Sequence, residues 1–562
     1  MKSSYYGTRG GRPVELAAEY DYVIVGAGSA GCVLASRLAA AEPQATVLVI
    51  EAGPDGRGVT QVIDPPQWTR LLGTSLDWGY SYAPRPAVVG RPIPIPRGKV
   101  LGGCSAINAM IWYRGHPGDY DAWQASGAPG WDYQALLPYF RRSESWEGGG
   151  SDQRGASGPM RVSRPVAPHP VALAMVDGAA ELGLPRLPDA NCGAGPGAAL
   201  ADLNIADGRR FSVVDGYLPA WAPPAAPVQV PVGAGRPTPP PPPNLSVRTG
   251  SLAVGLGFEG TRCVSVAHTV GGAVVQTRAA REVILTLGAF GTPELLIRSG
   301  IGDPAALRVL GLPVVAALPG VGRNLQDHPF VAGLNFRARH RLGPPRDSGG
   351  GAMANWRSSG AQRPDMQAFL AQRAYITPEA ARQGGWRQGY GAGDVFALAP
   401  GLMLPRSVGS LTVRSADPAS GPGGVEITSG FLAEQADVDA LVEGLDRIMD
   451  LAATRAYTRL IAEPVVAAPL HRMSRAQKAE FVRQNCSTQF HPVGTAAMGT
   501  GPGAVVDPSL RVRGVTGLRV ADASVIPVIP SCNTQAPVIA VAERAADLIL
   551  GRVPGPVPRH RG

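Results

Sequence analysis

Residues 20–31, Tyr-Asp-Tyr-Val-Ile-Val-Gly-Ala-Gly-Ser-Ala-Gly, decide the fold of this chain. The apolar run that ends at Val25 is typical of a buried parallel strand. Gly26, Gly28 and Gly31 follow it as a GxGxxG pattern. The first glycine permits a tight turn, the second lets the backbone approach a pyrophosphate, and the third lets the next helix pack against the strand. That helix would present free N–H groups to phosphates at its N-terminus.

A second strand is predicted from Thr46 to Ile50, and Glu51 follows it about twenty residues after Gly31. An acid at this place can bind a ribose 2′-hydroxyl, and it would repel the additional phosphate of NADP. Strand, glycines, helix, strand and acid in this order predict dinucleotide binding rather than an ordinary turn. Glu51 alone does not separate NAD from FAD.

Length and composition exclude several classes of protein. A chain of 562 residues exceeds one ordinary core, and its 44% hydrophobic and 17% charged residues suit a globular protein. The net charge of +9 comes mostly from scattered arginines without a basic, aromatic-interleaved stripe, so nucleic-acid binding is not expected. No apolar run is long enough to span a membrane and no secretory signal is visible, so a cytoplasmic location is predicted.

The cysteines predict neither disulfides nor a metal site. They are residues 32, 104, 192, 263, 486 and 532, far apart and without CxxC or CxxH spacing. In the absence of a signal peptide we expect free thiols in a reducing compartment.

Changes of pattern along the chain predict its division into parts. Ten prolines between 222 and 243 predict a polyproline-like surface insertion. After 330 the glycine fingerprints give way to mixed segments and an amphipathic helix, which suits a substrate-covering domain inserted between cofactor motifs. The predicted parts are a flexible arm (1–19), a cofactor domain (20–330) carrying the insertion (222–243), a substrate domain (331–484), a return to the cofactor domain (485–550) and a tail (551–562).

Two further strand and helix pairs are predicted near cofactor-like motifs. A strand over 281–287 leads into a helix in which Pro293 suits the first turn. A strand over 518–520 ends at Asp522, and a later helix is opened by Thr534.

Two residues of the C-terminal quarter are candidates for chemistry. His491 lies in a glycine-rich loop, and its unperturbed pKa near working pH suits a general base. Asn533 precedes a helix whose N-terminus can stabilise negative charge. Taken alone, each residue is equally compatible with a structural role, as a buried histidine or a capping asparagine.

Together these motifs resemble the glucose–methanol–choline (GMC) family of FAD-dependent oxidoreductases, from about Tyr20 to Leu550. The resemblance rests on five ordered blocks. They are the GxGxxG with Glu51, Gly98-Lys-Val-Leu-Gly-Gly-Cys-Ser-Ala-Ile-Asn108, residues 288–302, Pro319-Gly-Val-Gly-Arg-Asn-Leu-Gln-Asp-His-Pro329, and the region of His491 and Asp522 to Asn533.

The resemblance implies a doubly wound α/β FAD-binding domain interrupted by an α+β substrate domain with an antiparallel sheet. It implies that His491 is the catalytic base and Asn533 the second catalytic residue. FAD would be non-covalent, because Ile107 occupies the place of the histidine to which some relatives attach it. The implied FAD contacts are Gly26, Gly28, Ser29, Gly31, Glu51, Ala52, Gly102, Gly103, Ser105, Asn108, Ala253, Asp522, Ala523 and Thr534, with Gly102 to Ser105 near the flavin ring.

The implied reaction oxidises a primary alcohol, aromatic or hydrophobic, to the aldehyde. The low count of charged residues near His491 and Asn533 in the sequence predicts a neutral substrate. His491 would accept the hydroxyl proton while a hydride passes to flavin N5, and Asn533 would orient the oxygen. The helix after Thr534 would stabilise negative charge on the reduced flavin. The electron acceptor, O₂ or another molecule, and the oligomeric state stay open.

Two other functions remain alternatives. A hydroxynitrile lyase on the same scaffold would keep FAD without redox chemistry. A non-catalytic interaction protein would use the proline-rich insertion as a docking site.

Overall fold

The computed structural model describes residues 16–193, 195–218, 242–376, 393–465 and 470–553. Its first strands are β1 (Leu16–Val25), β2 (Val47–Ile50), β3 (Ser81–Tyr82), β4 (Ile93–Pro94), β5 (Ile111–Trp112), β6 (Glu144–Trp146), β7 (Met160–Val162), β8 (Gly197–Leu200), β9 (Asp202–Leu203), β10 (Ile205–Ala206), β11 (Arg209–Arg210), β12 (Leu245–Arg248), β13 (Ala253–Glu259), β14 (Arg262–Val270) and β15 (Ala273–Leu285). The later strands are β16 (Ile301–Gly302), β17 (Ala316–Ala317), β18 (Pro329–Val331), β19 (Asn335–Ala338), β20 (Ala352–Trp356), β21 (Met366–Ala371), β22 (Val395–Leu402), β23 (Ser410–Val413), β24 (Val425–Thr428), β25 (Ile461–Pro464), β26 (Cys486–Thr488) and β27 (Leu518–Val520).

The α-helices lie between and after these strands. They are α1 (Ser29–Ala41), α2 (Thr60–Ile63), α3 (Pro117–Ala125), α4 (Tyr133–Ser143), α5 (Pro170–Glu181), α6 (Val213–Tyr217), α7 (Gly288–Arg298), α8 (Pro304–Val309), α9 (Gln435–Ala452), α10 (Arg455–Thr458), α11 (Arg475–Asn485) and α12 (Gln535–Ile549).

The first sheet is parallel at its centre, in the order β12-β2-β1-β15-β27. The long β15 also pairs along its first half with β14, which continues antiparallel to β13. The apolar runs of β1 and β2 are buried on both faces of the sheet, with Val23, Ile24, Val47 and Val49 fully inaccessible. This burial explains why these strands have continuous apolar sequences rather than alternating ones.

The second sheet is antiparallel, in the order β25-β19-β22-β21-β20-β8, with β18 pairing both β22 and β26. It therefore takes β8, β18 and β26 from outside or from the edge of the predicted substrate domain, so the sheet extends beyond residues 331–484. Helix α9 packs against β22 through its predicted apolar stripe, in which Leu441, Leu445 and Ile448 are inaccessible. The predicted α/β architecture with an additional antiparallel sheet is confirmed.

A buried carboxylate joins the C-terminal helix to the rest of the first domain. Glu543 of α12 is inaccessible and binds Arg37 of α1 and Arg142 of α4 at 2.7 Å each. The Tyr217 hydroxyl of α6 donates to the same carboxylate at 2.7 Å. Three elements distant in sequence are thereby fixed to the helix that carries Thr534 at its start.

Pro293 is placed differently from the prediction. It lies inside α7 rather than in its first turn, because the helix already begins at Gly288. Proline has no N–H to donate to the carbonyl four residues earlier, that of Ala289. The Thr495 hydroxyl donates to this carbonyl instead, at 2.6 Å, which explains how the interior proline is tolerated.

The predictions for the chain termini and the insertion are tested only in part. Strand β1 begins at Leu16, so the flexible arm predicted over 1–19 was too long at its C-terminal end. Residues 1–15, the proline-rich insertion up to residue 241 and the tail from 554 lie outside the described residues.

Candidate active site

A long cleft opens where the parallel strands of the first sheet end. Gly26, Glu51, Thr286 and Asp522 follow the carboxyl ends of β1, β2, β15 and β27, and all four line the cleft. Ligands of open α/β sheets bind at this edge, because loops diverge there and helix N-termini face the ligand.

Backbone contacts of glycine bring the loops of the cleft together. A Cβ at Gly31 would lie 1.9 Å from the Gly26 carbonyl oxygen, so only glycine lets α1 approach β1 here. A Cβ at Gly103 would lie 2.8 Å from the Cα atom of Gly28. The loop before α1 and the Gly102–Gly103 loop are therefore in direct contact.

The N-terminus of α1 is free to receive an anion. Its N-cap, Gly28, makes no side-chain cap, and the first turn carries no acidic residue. The unpaired N–H groups and the positive end of the helix dipole thus face the cleft without a competing carboxylate.

Glu51 closes one end of the cleft. Its carboxylate accepts from the Ala27 and Gly53 amides at 2.9 and 2.8 Å, which orients it beside the glycine loop. Burial raises the pKa of Glu51 to about 7, and the amide hydrogen bonds oppose that rise.

Asp522 lies at the other end of the cleft, after β27, and holds its turn against α7. Its carboxylate accepts from the Gly288 amide and the Thr292 hydroxyl on α7, and from Ser524 on its own turn. Burial raises the pKa of Asp522, while these hydrogen bonds lower it. Asp522 thereby positions the amides of its turn at the cleft wall.

These features fit FAD. A bare helix N-terminus suits the pyrophosphate, a carboxylate after the second strand suits the ribose, and glycine backbone at 103 leaves room for a flat ring. Ile107 offers no nucleophile for covalent attachment to the cofactor.

A second cavity, of about 120 Å³, adjoins the cleft. Both are lined by Arg97, Cys104, Thr534 and Gln535, so the two spaces meet at these residues. The second cavity also contains His491 and Asn533, and its walls are mainly apolar. Its other described lining residues include Trp68, Leu72, Ile107, Asn108, Met110, Phe330, Phe369, Tyr375, Thr488, Gln489 and Phe490.

His491, which lines this cavity, stands between the side chains of Asn533 and His328. Its Nε2 lies 3.1 Å from Asn533 Nδ2, and its Nδ1 lies 2.9 Å from His328 Nδ1. An amide nitrogen only donates, so His491 Nε2 accepts from Asn533 and is unprotonated in this arrangement. The proton of the neutral ring then lies on Nδ1, which donates to His328.

Burial keeps both imidazoles neutral. It lowers the pKa of His491 well below its ordinary value, and the adjacent His328 and the charge of Arg97 lower it further. Burial likewise lowers the pKa of His328 to about 3. A neutral His491 has a lone pair on Nε2 and is a competent proton acceptor at neutral pH.

Comparison with known proteins identifies the family. Residues 20–330 match one family model of GMC oxidoreductases, and residues 405–542 match a second. The chain is a GMC oxidoreductase.

Named relatives of this GMC oxidoreductase include choline dehydrogenases. The chain is 35% identical over 568 residues to the mitochondrial choline dehydrogenase of Homo sapiens, covering 95% of this chain and 90% of that protein. It is 36% identical over 566 residues to the oxygen-dependent choline dehydrogenase of Brucella anthropi, covering 95% and 96%.

Solved structures of the same fold include oxidases. Pyridoxine 4-oxidase from Mesorbium loti superposes with a TM-score of 0.84 at 31% identity, covering 94% of this chain and 98% of that one. A formate oxidase variant from Aspergillus oryzae superposes with a TM-score of 0.83 at 26% identity, covering 96% and 99%. This GMC oxidoreductase therefore binds FAD and is an FAD-dependent oxidoreductase.

The structure places the predicted FAD contacts in three groups. Gly31, Gly102 and Ser105 lie behind the cleft wall, where the Ser105 hydroxyl donates to the Gly102 carbonyl. Asn108 lines the second cavity instead, with its Oδ1 accepting from Arg210 at 2.8 Å. The predicted residues that do line the cleft are Gly26, Gly28, Ser29, Glu51, Ala52, Gly103, Ala253, Asp522, Ala523 and Thr534.

His328 and Arg97 belong to the site but were not predicted from the sequence. Both lie within or directly before blocks that carried the family resemblance, and His328 is one of only eight histidines. A histidine between Asp327 and Pro329 was a usable signal. The contact of His328 with His491 was not visible, because 163 residues separate them.

Two findings concern the whole described part of the enzyme. Within it, no helix is both long and apolar enough to cross a membrane. No group of three histidine, cysteine or acidic side chains in the same residues is arranged to hold a metal ion.

Proposed function

We propose that this enzyme oxidises a neutral primary alcohol with an apolar or aromatic substituent to the aldehyde, with His491 as the base. The observation that supports this most directly is the unprotonated Nε2 of His491, which faces the cavity adjoining the FAD cleft. When bound, FAD supplies the two-electron acceptor that takes the hydride.

His491 and Asn533 divide the work on the hydroxyl group. The alcohol O–H takes the place of the Asn533 amide as the donor to Nε2, which accepts the proton as the carbon–hydrogen bond breaks. Asn533 Nδ2 then donates to the substrate oxygen and fixes its orientation. His328 accepts from His491 Nδ1, and this hydrogen bond stabilises the positive charge that His491 acquires.

The cavity walls favour an uncharged, apolar substituent. Phe330, Phe369 and Tyr375 form one cluster, with ring centroids between 5.4 and 5.9 Å apart. Among the described residues that line the cavity none is a carboxylate, and Arg97 brings a positive charge. A cation would be repelled by Arg97 and would find no anionic partner, although aromatic faces attract cations.

The charge of Arg97 and the lack of a carboxylate among the described lining residues favour the proposed substrate over the choline in the names of the relatives. Choline carries a quaternary ammonium group, whereas its carbon analogue, with a quaternary carbon in place of nitrogen, has the same shape and no charge. We expect the analogue and benzyl alcohol to give a higher kcat/KM than choline. Steady-state kinetics on the FAD-loaded enzyme measures this, and a clear preference for choline would overturn the proposed substrate class.

A further inference from the structure

Asp327 binds the backbone of both histidines of the site at once. It is 1% exposed, and its Oδ1 accepts from the amides of His328 and His491 at 2.8 Å each. These are the two residues whose rings contact each other. One carboxylate oxygen therefore fixes the backbone from which both imidazole side chains extend.

The second oxygen of Asp327 is bound as fully. Its Oδ2 accepts from the Tyr82 hydroxyl at 2.6 Å and from the Thr488 hydroxyl at 2.5 Å. Tyr82 belongs to β3 and Thr488 to β26, so the carboxylate is held from two separate elements. Burial raises the pKa of Asp327, while the hydrogen bonds from Thr488, Tyr82 and the His491 amide lower it. The four donors leave the group little freedom to rotate.

The chain directly before His491 adopts a conformation that needs support. Phe490 has φ +69°, which is unusual for a bulky residue. Its amide donates to Thr488 Oγ1 at 2.8 Å, and its carbonyl accepts from Arg97 Nη2 at 2.6 Å. Strained backbone persists where surrounding contacts fix it, and here those contacts lead through Thr488 to Asp327.

We propose that Asp327 is the positioning residue of the base. Its carboxylate holds the amides of His328 and His491, and through Thr488 the strained turn at Phe490, so that His491 Nε2 points at the substrate cavity. The assignment rests on the proposed function, since it presumes that His491 accepts the proton. Asp327 itself does not line the cavity and acts only through His491.

The test is a double-mutant cycle on the rate constant of flavin reduction under anaerobic conditions, at saturating benzyl alcohol. Asp327→Asn replaces one acceptor oxygen with an NH₂ group. Because each oxygen of Asp327 accepts from two donors, that NH₂ group would face N–H or O–H donors and could not bind them. We expect about a 100-fold slower reduction, the size associated with a misplacement of about 1 Å. The apparent Kd for the alcohol and the FAD content should stay unchanged, because Asp327 contacts neither cavity.

The His491→Ala background separates positioning from a general structural effect. If Asp327 acts through His491, adding Asp327→Asn to His491→Ala slows reduction by less than about 3-fold, because coupled residues are not additive. An undiminished loss in that background, or an unchanged rate in the single variant, overturns the proposal.

Asp437→Asn is the matched control. Asp437 is also buried and accepts two backbone amides, from Arg406 and Ser407 at 2.9 Å each, but lies away from the active site. It should lower stability without slowing reduction. If no alcohol reduces the wild-type enzyme, the proposed function is wrong. If alcohol reduces the wild-type and Asp327→Asn enzymes equally fast, the proposed function stands and the role of Asp327 is wrong.

Thr488→Val provides a second variant should Asp327→Asn fail to fold. It keeps the carboxylate but removes the hydroxyl between Asp327 and the Phe490 amide. We expect Thr488→Val to slow flavin reduction by about 10-fold in the otherwise wild-type enzyme. In the His491→Ala background the same substitution should have no effect on the rate. An unchanged rate for Thr488→Val would contradict the role of the turn and overturn the proposal.

Discussion

At the residue scale, the chemistry depends on a histidine that stays neutral. His491 is buried, accepts at Nε2 and donates at Nδ1 to a second buried histidine. A solvent-exposed histidine would be half protonated near pH 6.5 and would lose its base form below that value. Burial thus extends the pH range over which the enzyme has a usable base.

The first prediction follows from the direction of this pKa shift. Because the pKa of His491 lies well below its ordinary value, the base form persists as the pH falls through 6.5. We expect the rate constant of flavin reduction to be level from pH 8 down to about pH 6. Anaerobic stopped-flow measurements across this range check it, and a fall with a midpoint near 6.5 would show that His491 is not shielded as described.

The second prediction concerns Thr495, which compensates for the proline in α7. Thr495→Val keeps the shape but leaves the Ala289 carbonyl buried without its donor, at a cost of about 1–3 kcal/mol. Thr495→Ser retains the hydroxyl and is the control. The free energy of unfolding from urea titration measures both, and equal stability of the valine and serine variants would be the contrary result.

At the element scale, the cleft depends on the contact between two glycine loops. The turn before α1 and the turn at Gly103 meet backbone to backbone in the wall of the FAD cleft, next to Cys104, which also lines the substrate cavity. Local sequence predicted each turn. The GxGxxG spacing predicted the packing role of Gly31. It did not predict that Gly102 would face away from the cleft, because a glycine required for packing cannot be told by residue type from one required for ligand approach.

The third prediction tests this contact through Gly103→Ala. The new Cβ would lie 2.8 Å from Gly28 Cα, and Gly103 has φ +52°, so the loops must separate. We expect at least about a 10-fold increase in the Kd of FAD, which is about 1.4 kcal/mol. Titration of the apoenzyme, followed by flavin fluorescence, measures it.

Gly58→Ala is the control for this change. A Cβ at Gly58 meets no atom within 4 Å, so the Kd of FAD should stay as in wild type. Equal Kd values for Gly103→Ala and wild type would show that the loops tolerate separation.

At the scale of the whole molecule, structure formed by residues close together in the sequence was predictable, and structure formed by residues far apart was not. The β1–α1–β2 unit was predictable because its apolar runs, glycines and acid lie within about thirty residues of each other. The antiparallel sheet pairs β8 with β20 and β18 with β26, each pair more than 150 residues apart. Such pairing depends on tertiary context, so the sheet was expected only from the family resemblance, and its boundaries were not predicted.

The active site shows the same division. His491 and Asn533 were recognisable from their own segments, whereas His328 and Asp327 acquire their roles only when β18 and β26 pair beside each other. The pairing of these strands thus brings His328 into contact with His491, the proposed base. The substrate cavity takes Phe330, Phe369 and Thr488 from the antiparallel sheet, and most of its other lining residues come from the segment 96–111 and from the chain around His491 and Asn533.

The measurement that tests the central claim most directly is anaerobic mixing of FAD-loaded wild-type and His491→Ala enzyme with benzyl alcohol, followed at the flavin absorbance band. We predict bleaching by wild type and reduction slowed by about 10²–10⁴-fold in the variant, since a general base contributes that much. Readmitted air then separates use of O₂ from use of another acceptor. If no alcohol bleaches fully loaded wild-type enzyme while cyanohydrins are cleaved, the enzyme is a lyase. Equal rates in wild type and variant would contradict the role of His491.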